Sequence, residues 1–362
     1  MNASAGNASA NDAIGIIPND VSGSPTGAIP EPSIGVTPAT VSDTRSDVMP
    51  GPAYATASIQ TGSATGRRAN RWNRRIRLTF MGVLRAELLK LRSLTSTWIL
   101  MGLSVLLIVG MAALGTWSTM FMASVDLNTG QQLDSPRPVS AADVWSVLAS
   151  SGTTAALVFG IFGVMAITSE YTTSAVQASL VANPSRGMFY VGKSLAVALF
   201  SVAASLVGIA AAGLVVWLMS RGHEITALDD DQMRIIPVTL VGFPVAIMLV
   251  ALLAVGLGGL TRSTVGGVCA VIVLFMVLSS VLSLTSVLMN QFEWLGTLSY
   301  LAPDAAMNRF LSGGIESSSV PVALEKPSYW IPSWWQSGLL LFAWSAVLWG
   351  IGLVTVKRID VK

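Results

Sequence analysis

The chain has 362 residues, of which 52% are hydrophobic and only 11% charged. Soluble domains carry roughly a quarter charged residues, so an ordinary soluble globular protein is excluded. The formal net charge of +2 hides a strong asymmetry along the sequence, and a single histidine and a single cysteine leave no material for a histidine-based metal cluster, a catalytic triad or an internal disulfide.

Residues 1–66 are dominated by Ala, Ser, Thr, Gly and Pro, repeat Asn-Ala-Ser-Ala at Asn2 and Asn7, and show no apolar periodicity. Such a segment cannot bury enough surface to offset its chain entropy, so a disordered cytoplasmic tail is expected. It lacks the apolar centre of a signal peptide, which leaves targeting to the first span. The Asn-Ala-Ser sequons read as products of composition, since glycosylation would require an extracytoplasmic tail.

Residues 67–95 combine clustered arginines with apolar residues at Ile76, Phe80, Leu84, Leu88 and Leu91, close to helical spacing. Arg77 falls on this stripe and Leu89 falls off it. A basic amphipathic helix lying on anionic lipid fits the pattern. Arginines that only fix the topology are the other reading.

From residue 96 onward, charge-free stretches occupy about 97–121, 144–168, 194–219, 235–260, 264–289 and 334–356. Roughly 20 apolar residues cross a hydrocarbon core of about 30 Å, so residues 96–362 are expected to be an all-α, polytopic bundle of six transmembrane helices. Fifteen lysines and arginines fall in the 67–92 run, the 169–193 and 261–263 connections and the C-terminus. The loops at 122–143, 220–234 and 290–333 carry five basic and eleven acidic residues, including Asp229, Asp230 and Asp231. The positive-inside rule then places both termini of this multi-pass protein in the cytoplasm, N-in and C-in. Trp117, Trp145, Trp217, Trp294, Trp330, Trp334 and Trp335 all fall at the outer margins of these spans, where indole rings favour the headgroup level.

None of the six stretches contains a charge, which argues against an ion-coupled carrier, since such machines place acidic residues or broken helices near the midplane. Pro244 with Gly256, Gly258 and Gly259 predicts a kink and close helix packing in the fourth span, with a functional helix break as the alternative. Ala204, Gly208 and Ala212 lie four apart on one face of the third span and predict a helix contact. Cys269, in the fifth span, reads as a small packing residue.

Two motifs imitate soluble nucleotide sites. Gly187-Met-Phe-Tyr-Val-Gly192-Lys193-Ser194 fits the phosphate-loop pattern, yet it follows Asn183-Pro184 and runs straight into an apolar span instead of linking a strand to a helix. Lys193 is expected to be an interfacial anchor there. Leu311-Ser-Gly-Gly314-Ile315 resembles the signature sequence of ATP-binding-cassette ATPases but lies in the last outer loop. An enzyme is therefore not expected, and no cofactor or metal is expected on this chain.

A further set of segments points to a family. Leu84-Arg85-Ala-Glu87-Leu-Leu-Lys90-Leu-Arg92-Ser93 running into Thr97-Trp98 is followed by Ile167-Thr-Ser-Glu170-Tyr171-Thr-Thr173 and by Asn183-Pro184-Ser-Arg186. Gly258-Gly-Leu-Thr-Arg262-Ser263-Thr264 and the terminal Val356-Lys357-Arg358-Ile359-Asp360-Val361 complete the set. In order and in position this resembles the type-2 permeases of ATP-binding-cassette (ABC) transporters, over about residues 80–362. The resemblance implies a six-span permease that pairs with a second permease, as a homodimer or heterodimer, and binds separate cytoplasmic ATPase subunits that supply ATP hydrolysis; no nucleic acid is implied. It assigns Arg85, Glu87, Lys90 and Arg92 to a connecting helix on the inner leaflet. It also assigns Glu170, Tyr171, Thr173, Val176, Gln177, Leu180 and Arg186 to a coupling segment that docks on an ATPase. An ATP-independent membrane scaffold or immunity protein, working through its acidic outer loops, is the main alternative, and an ion-coupled secondary transporter the third.

Overall fold

The computed structural model describes residues 79–126, 128–172, 186–289, 292–315 and 329–358. The 1–66 tail, residues 67–78, and the 173–185 part of the expected coupling segment lie outside the described residues. Helix α1, Phe80–Ser93, is started by Thr79, whose side-chain oxygen accepts a hydrogen bond from the Gly82 amide at 3.3 Å. Lys90 and Arg92 occupy its last turn, where cations offset the negative end of the helix dipole. The buried face of α1 carries Leu84, Glu87 and Leu91, and Leu89 points outward at 68% exposure.

Six helices are long and apolar enough to cross a membrane: α2 (Thr95–Ser124), α3 (Ala141–Thr172), α4 (Arg186–Met219), α5 (Ile235–Thr261), α6 (Thr264–Leu288) and α9 (Trp334–Lys357). The chain is thus an all-α, multi-pass membrane protein. The helices follow the six apolar stretches closely, with one exception. Helix α4 begins at Arg186, eight residues before the charge-free run, because Lys193 is accommodated inside the helix instead of ending it.

Helices α3 and α5 form the centre of the bundle, with α2, α4 and α9 packed around them. The apolar window of α5 is 72% buried whereas that of α6 is 17% buried, so α6 lies at the periphery and Cys269 faces outward instead of packing within this chain. Backbones touch where side chains are absent. A Cβ on Gly256 of α5 would lie 2.3 Å from the Leu348 carbonyl oxygen of α9, and one on Gly352 would lie 2.7 Å from the Gly256 oxygen. Likewise, a Cβ on Gly208 would lie 2.6 Å from Ile108, so the face carrying Ala204, Gly208 and Ala212 is the seat for α2. Small residues here permit close approach, the usual way membrane helices gain dispersion contacts when lipid is as apolar as leucine.

Pro244 does not break α5. A π-helical turn at Val238–Gly242 precedes it, in which the Phe243 amide bonds the Val238 carbonyl, so the ladder has already shifted register before the residue that lacks a donor. A second π turn, Val273–Val277, lies midway along α6.

At the acidic end of the bundle, β1 (Val139–Ser140) pairs in parallel with β2 (Ile225–Thr226), tying the α2–α3 and α4–α5 connections together. The 290–333 stretch, expected as an outer loop, instead contains two short helices, α7 (Glu293–Leu301) and α8 (Pro303–Leu311). The Trp344 indole N–H donates to the Leu301 carbonyl at 2.9 Å. Trp344 lies ten residues into α9, so at 1.5 Å per residue this hairpin reaches about 15 Å along that helix. Helix α8 packs on α9, α3 and both π turns, and buries Met307 and Leu311 completely.

Candidate functional site

Among the described residues, the basic end of the bundle holds only two acids, Glu87 and Glu170, and both are buried. Glu87 lies on the buried face of α1. Glu170 lies in the last turn of α3, where the helix dipole disfavours an anion. Lys193, one to two turns into α4, enters between them with a side chain only 2% exposed. Its ammonium donates to Glu87 Oε2 at 2.7 Å and to Glu170 Oε1 at 2.8 Å. Lys90 of α1 also donates to Glu170 Oε1. The Phe189 ring centroid lies 5.4 Å from the Lys193 nitrogen and adds a cation–π contact.

Two ammonium groups and two carboxylates thus form a neutral cluster that joins α1, α3 and α4. Glu87, Glu170 and Lys193 are out of water while the Lys90 side chain stays 41% exposed; burying charges is costly, and only mutual pairing offsets it. The interfacial-anchor expectation for Lys193 is corrected: its charge does not reach toward water but is neutralised in place by acids 106 and 23 residues away in sequence.

A second polar cluster ties α4 to α9. The Tyr190 hydroxyl donates to the Trp349 carbonyl at 3.1 Å, the Trp349 indole N–H donates to Ser194 Oγ at 2.9 Å, and the two rings lie 5.5 Å apart. The α5–α6 turn is anchored to α3 by the Thr264 hydroxyl, which lies 2.8 Å from that of Thr168. Arg262 closes α5 in the left-handed conformation at φ 53°, its amide bonding the Gly258 carbonyl.

Of the residues assigned by resemblance, Glu87 and Glu170 converge with Lys193 in the buried cluster, and the partly exposed Lys90 joins it through Glu170. Tyr171 is half-buried beside the core, and Arg186 opens α4 with its guanidinium donating to the Lys357 carbonyl at 3.3 Å. Arg85 and Arg92 project from the exposed flank of α1. Thr173, Val176, Gln177 and Leu180 lie outside the described residues. Lys193 was the residue missed as part of the site. A signal for it existed: acids are scarce among the bases of this end, and a lysine continuous with a helix needs a counterion.

Both nucleotide-site imitations have structural explanations. Gly187 to Ser194 is continuous α-helix, so its backbone amides are committed to the helix ladder and cannot wrap a phosphate. Ser312 to Gly314 is the turn after α8, with Gly313 and Gly314 at φ 61° and 72°, and the Gly313 carbonyl accepts from Arg234 at 2.8 Å.

No protein-family profile matches the chain, and no curated protein matches it either.

Proposed function

We propose that the chain is the membrane-spanning permease subunit of an ATP-binding-cassette exporter in the plasma membrane, with both termini cytoplasmic, working with a second permease and separate ATPase subunits. The observation that carries the reading is the ionic cluster of the buried Glu87, Glu170 and Lys193 with the partly exposed Lys90. It binds the end of α3, immediately before residues 173–185, to α1 and to the entry of α4.

Residues 173–185 join the end of α3, two residues beyond Glu170, to the start of α4 at Arg186. Because Glu170 is held by Lys193 and Lys90, α3 cannot shift alone; α1 and α4 move with it or the ion pairs break. That is the property required of an element that passes nucleotide-driven closure of a partner into a helical bundle, since packed interfaces switch between discrete arrangements instead of deforming continuously. The ATP chemistry belongs to the partner. This chain supplies the docking segment, the clamp and the path, which is why it needs no catalytic residue.

The placement of Glu170 also separates two roles that the sequence merged. Glu170 is a clamp residue, buried and ion-paired, whereas Val176, Gln177 and Leu180 are the docking candidates. In a reconstituted system, deleting Tyr171 to Leu180 should abolish stimulation of the partner ATPase while leaving membrane insertion intact. Undiminished stimulation by the deleted chain would remove the assignment and favour the ATP-independent scaffold.

A further inference from the structure

The exposed flank of α1 differs from its buried face. Lys90 is paired with Glu170, but neither Arg85 nor Arg92 has an acidic partner among the described residues. The two arginines are seven residues apart, hence on one side of the helix and about 10 Å from each other along its axis. Between and beside them lies a groove of about 390 Å³ lined by Arg85, Leu88, Leu89, Arg92 and Phe200. Phe200 belongs to the membrane-crossing part of α4, two turns beyond the buried Lys193. The groove therefore has a cationic rim on a helix at the bundle's basic end and an apolar floor that runs into a span.

We propose that this groove is a binding site for one anionic glycerophospholipid of the leaflet that carries α1. Its phosphate is bridged by Arg85 and Arg92, and the start of its acyl chains lies over Leu88, Leu89 and Phe200. Charge complementarity selects the occupant. A planar guanidinium pairs with phosphate oxygens through two parallel N–H donors, which a lysine does not reproduce. The apolar floor explains why the ligand is a lipid and not a free phosphate. Leu89, off the amphipathic stripe and 68% exposed, then has a partner. The inference needs only the six spans and α1, and does not depend on an ATPase partner.

The test is native mass spectrometry of the full chain purified in mild detergent and titrated with phosphatidylglycerol, phosphatidylcholine or glycerol 3-phosphate. Each basic residue near an anionic membrane surface contributes about 1 kcal/mol, or about fivefold. The double variant Arg85→Gln/Arg92→Gln should accordingly lose phosphatidylglycerol retention by tenfold or more. Phosphatidylcholine binding should stay unchanged, and Lys357→Gln/Arg358→Gln should retain phosphatidylglycerol as the unmodified chain does. Arg85→Lys/Arg92→Lys, which keeps the charge but not the fork, should fall between. Phe200→Ala, with no change of charge, should also weaken phosphatidylglycerol. Equal losses in the two glutamine pairs would reduce the effect to general surface charge and overturn the site. Retention of glycerol 3-phosphate equal to that of the lipid would overturn the assignment to a lipid.

Discussion

Replacing Lys193 with methionine would leave Glu87 buried with no cation and Glu170 with Lys90 alone. Breaking a buried ion pair by removing one partner costs about 3–5 kcal/mol, because the remaining charge has neither water nor counterion. Lys193→Met should therefore lower the thermal midpoint in detergent markedly. Adding Glu87→Gln to it should recover part of the loss, since the stranded charge is then gone. An unchanged midpoint for Lys193→Met would show that the cluster does not hold α1 and α4 together. At this scale the sequence was partly legible. The family resemblance singled out Glu87 and Glu170, but their common partner was hidden. Lys193 stands next to an apolar run, and local pattern treats a charge there as the end of a helix.

The glycine contacts of α5 and α9 make the element-scale test. At Gly256 the nearest atoms to an added methyl are backbone atoms of Leu348 and Trp349, and at Gly352 they include Gly256 itself, so no side-chain rotation relieves the clash. Gly256→Ala should force α5 and α9 apart and destabilise by about 1–3 kcal/mol, the usual range for overpacking. Gly350→Ala, where nothing lies within 4 Å, is the matched control on the same helix as Gly352 and should be neutral or stabilising by up to about 1 kcal/mol. Thermal unfolding of the two variants checks the pair; equal midpoints would mean that the α5–α9 contact is not tight. Close packing at Gly256 was readable from the glycines at 256, 258 and 259, but its partner was not, because Leu348 and Gly352 lie almost a hundred residues on. The α7–α8 hairpin was not readable at all. Glu293, Asp304 and Arg309 give residues 293–311 the polarity of a surface connection, and only the packing of Met307, Leu311 and the Leu301 carbonyl against α9 reveals the inward course.

For the whole molecule, the number and order of the spans were legible because a hydrocarbon core imposes a minimum apolar length that few other constraints produce. How the spans associate was not, since uncharged apolar helices carry little information about which faces meet. Among the described residues the buried charged side chains, Glu87, Glu170 and Lys193, lie at one end, where α1, α3 and α4 converge, and the rest of the interior is a hydrophobic core that includes Phe159, Phe162, Ile247 and Leu253, with small-residue contacts where backbones approach. Among the described residues this is the one buried ionic joint; the Arg137–Asp126 pair at the other end is more exposed. The proposed reading of a subunit driven from outside rests on the buried joint; among the described residues the charged side chains of the spanning helices lie toward their ends and not at mid-span.

The most direct test of the driven-subunit account is mass spectrometry of the chains that remain bound after mild detergent extraction and affinity purification, carried out on the full chain and on the Tyr171–Leu180 deletion. The account predicts a cytoplasmic ATP-binding-cassette ATPase with the full chain and its loss with the deletion. Purification of the full chain with no ATPase, or retention of the ATPase by the deleted chain, would contradict it.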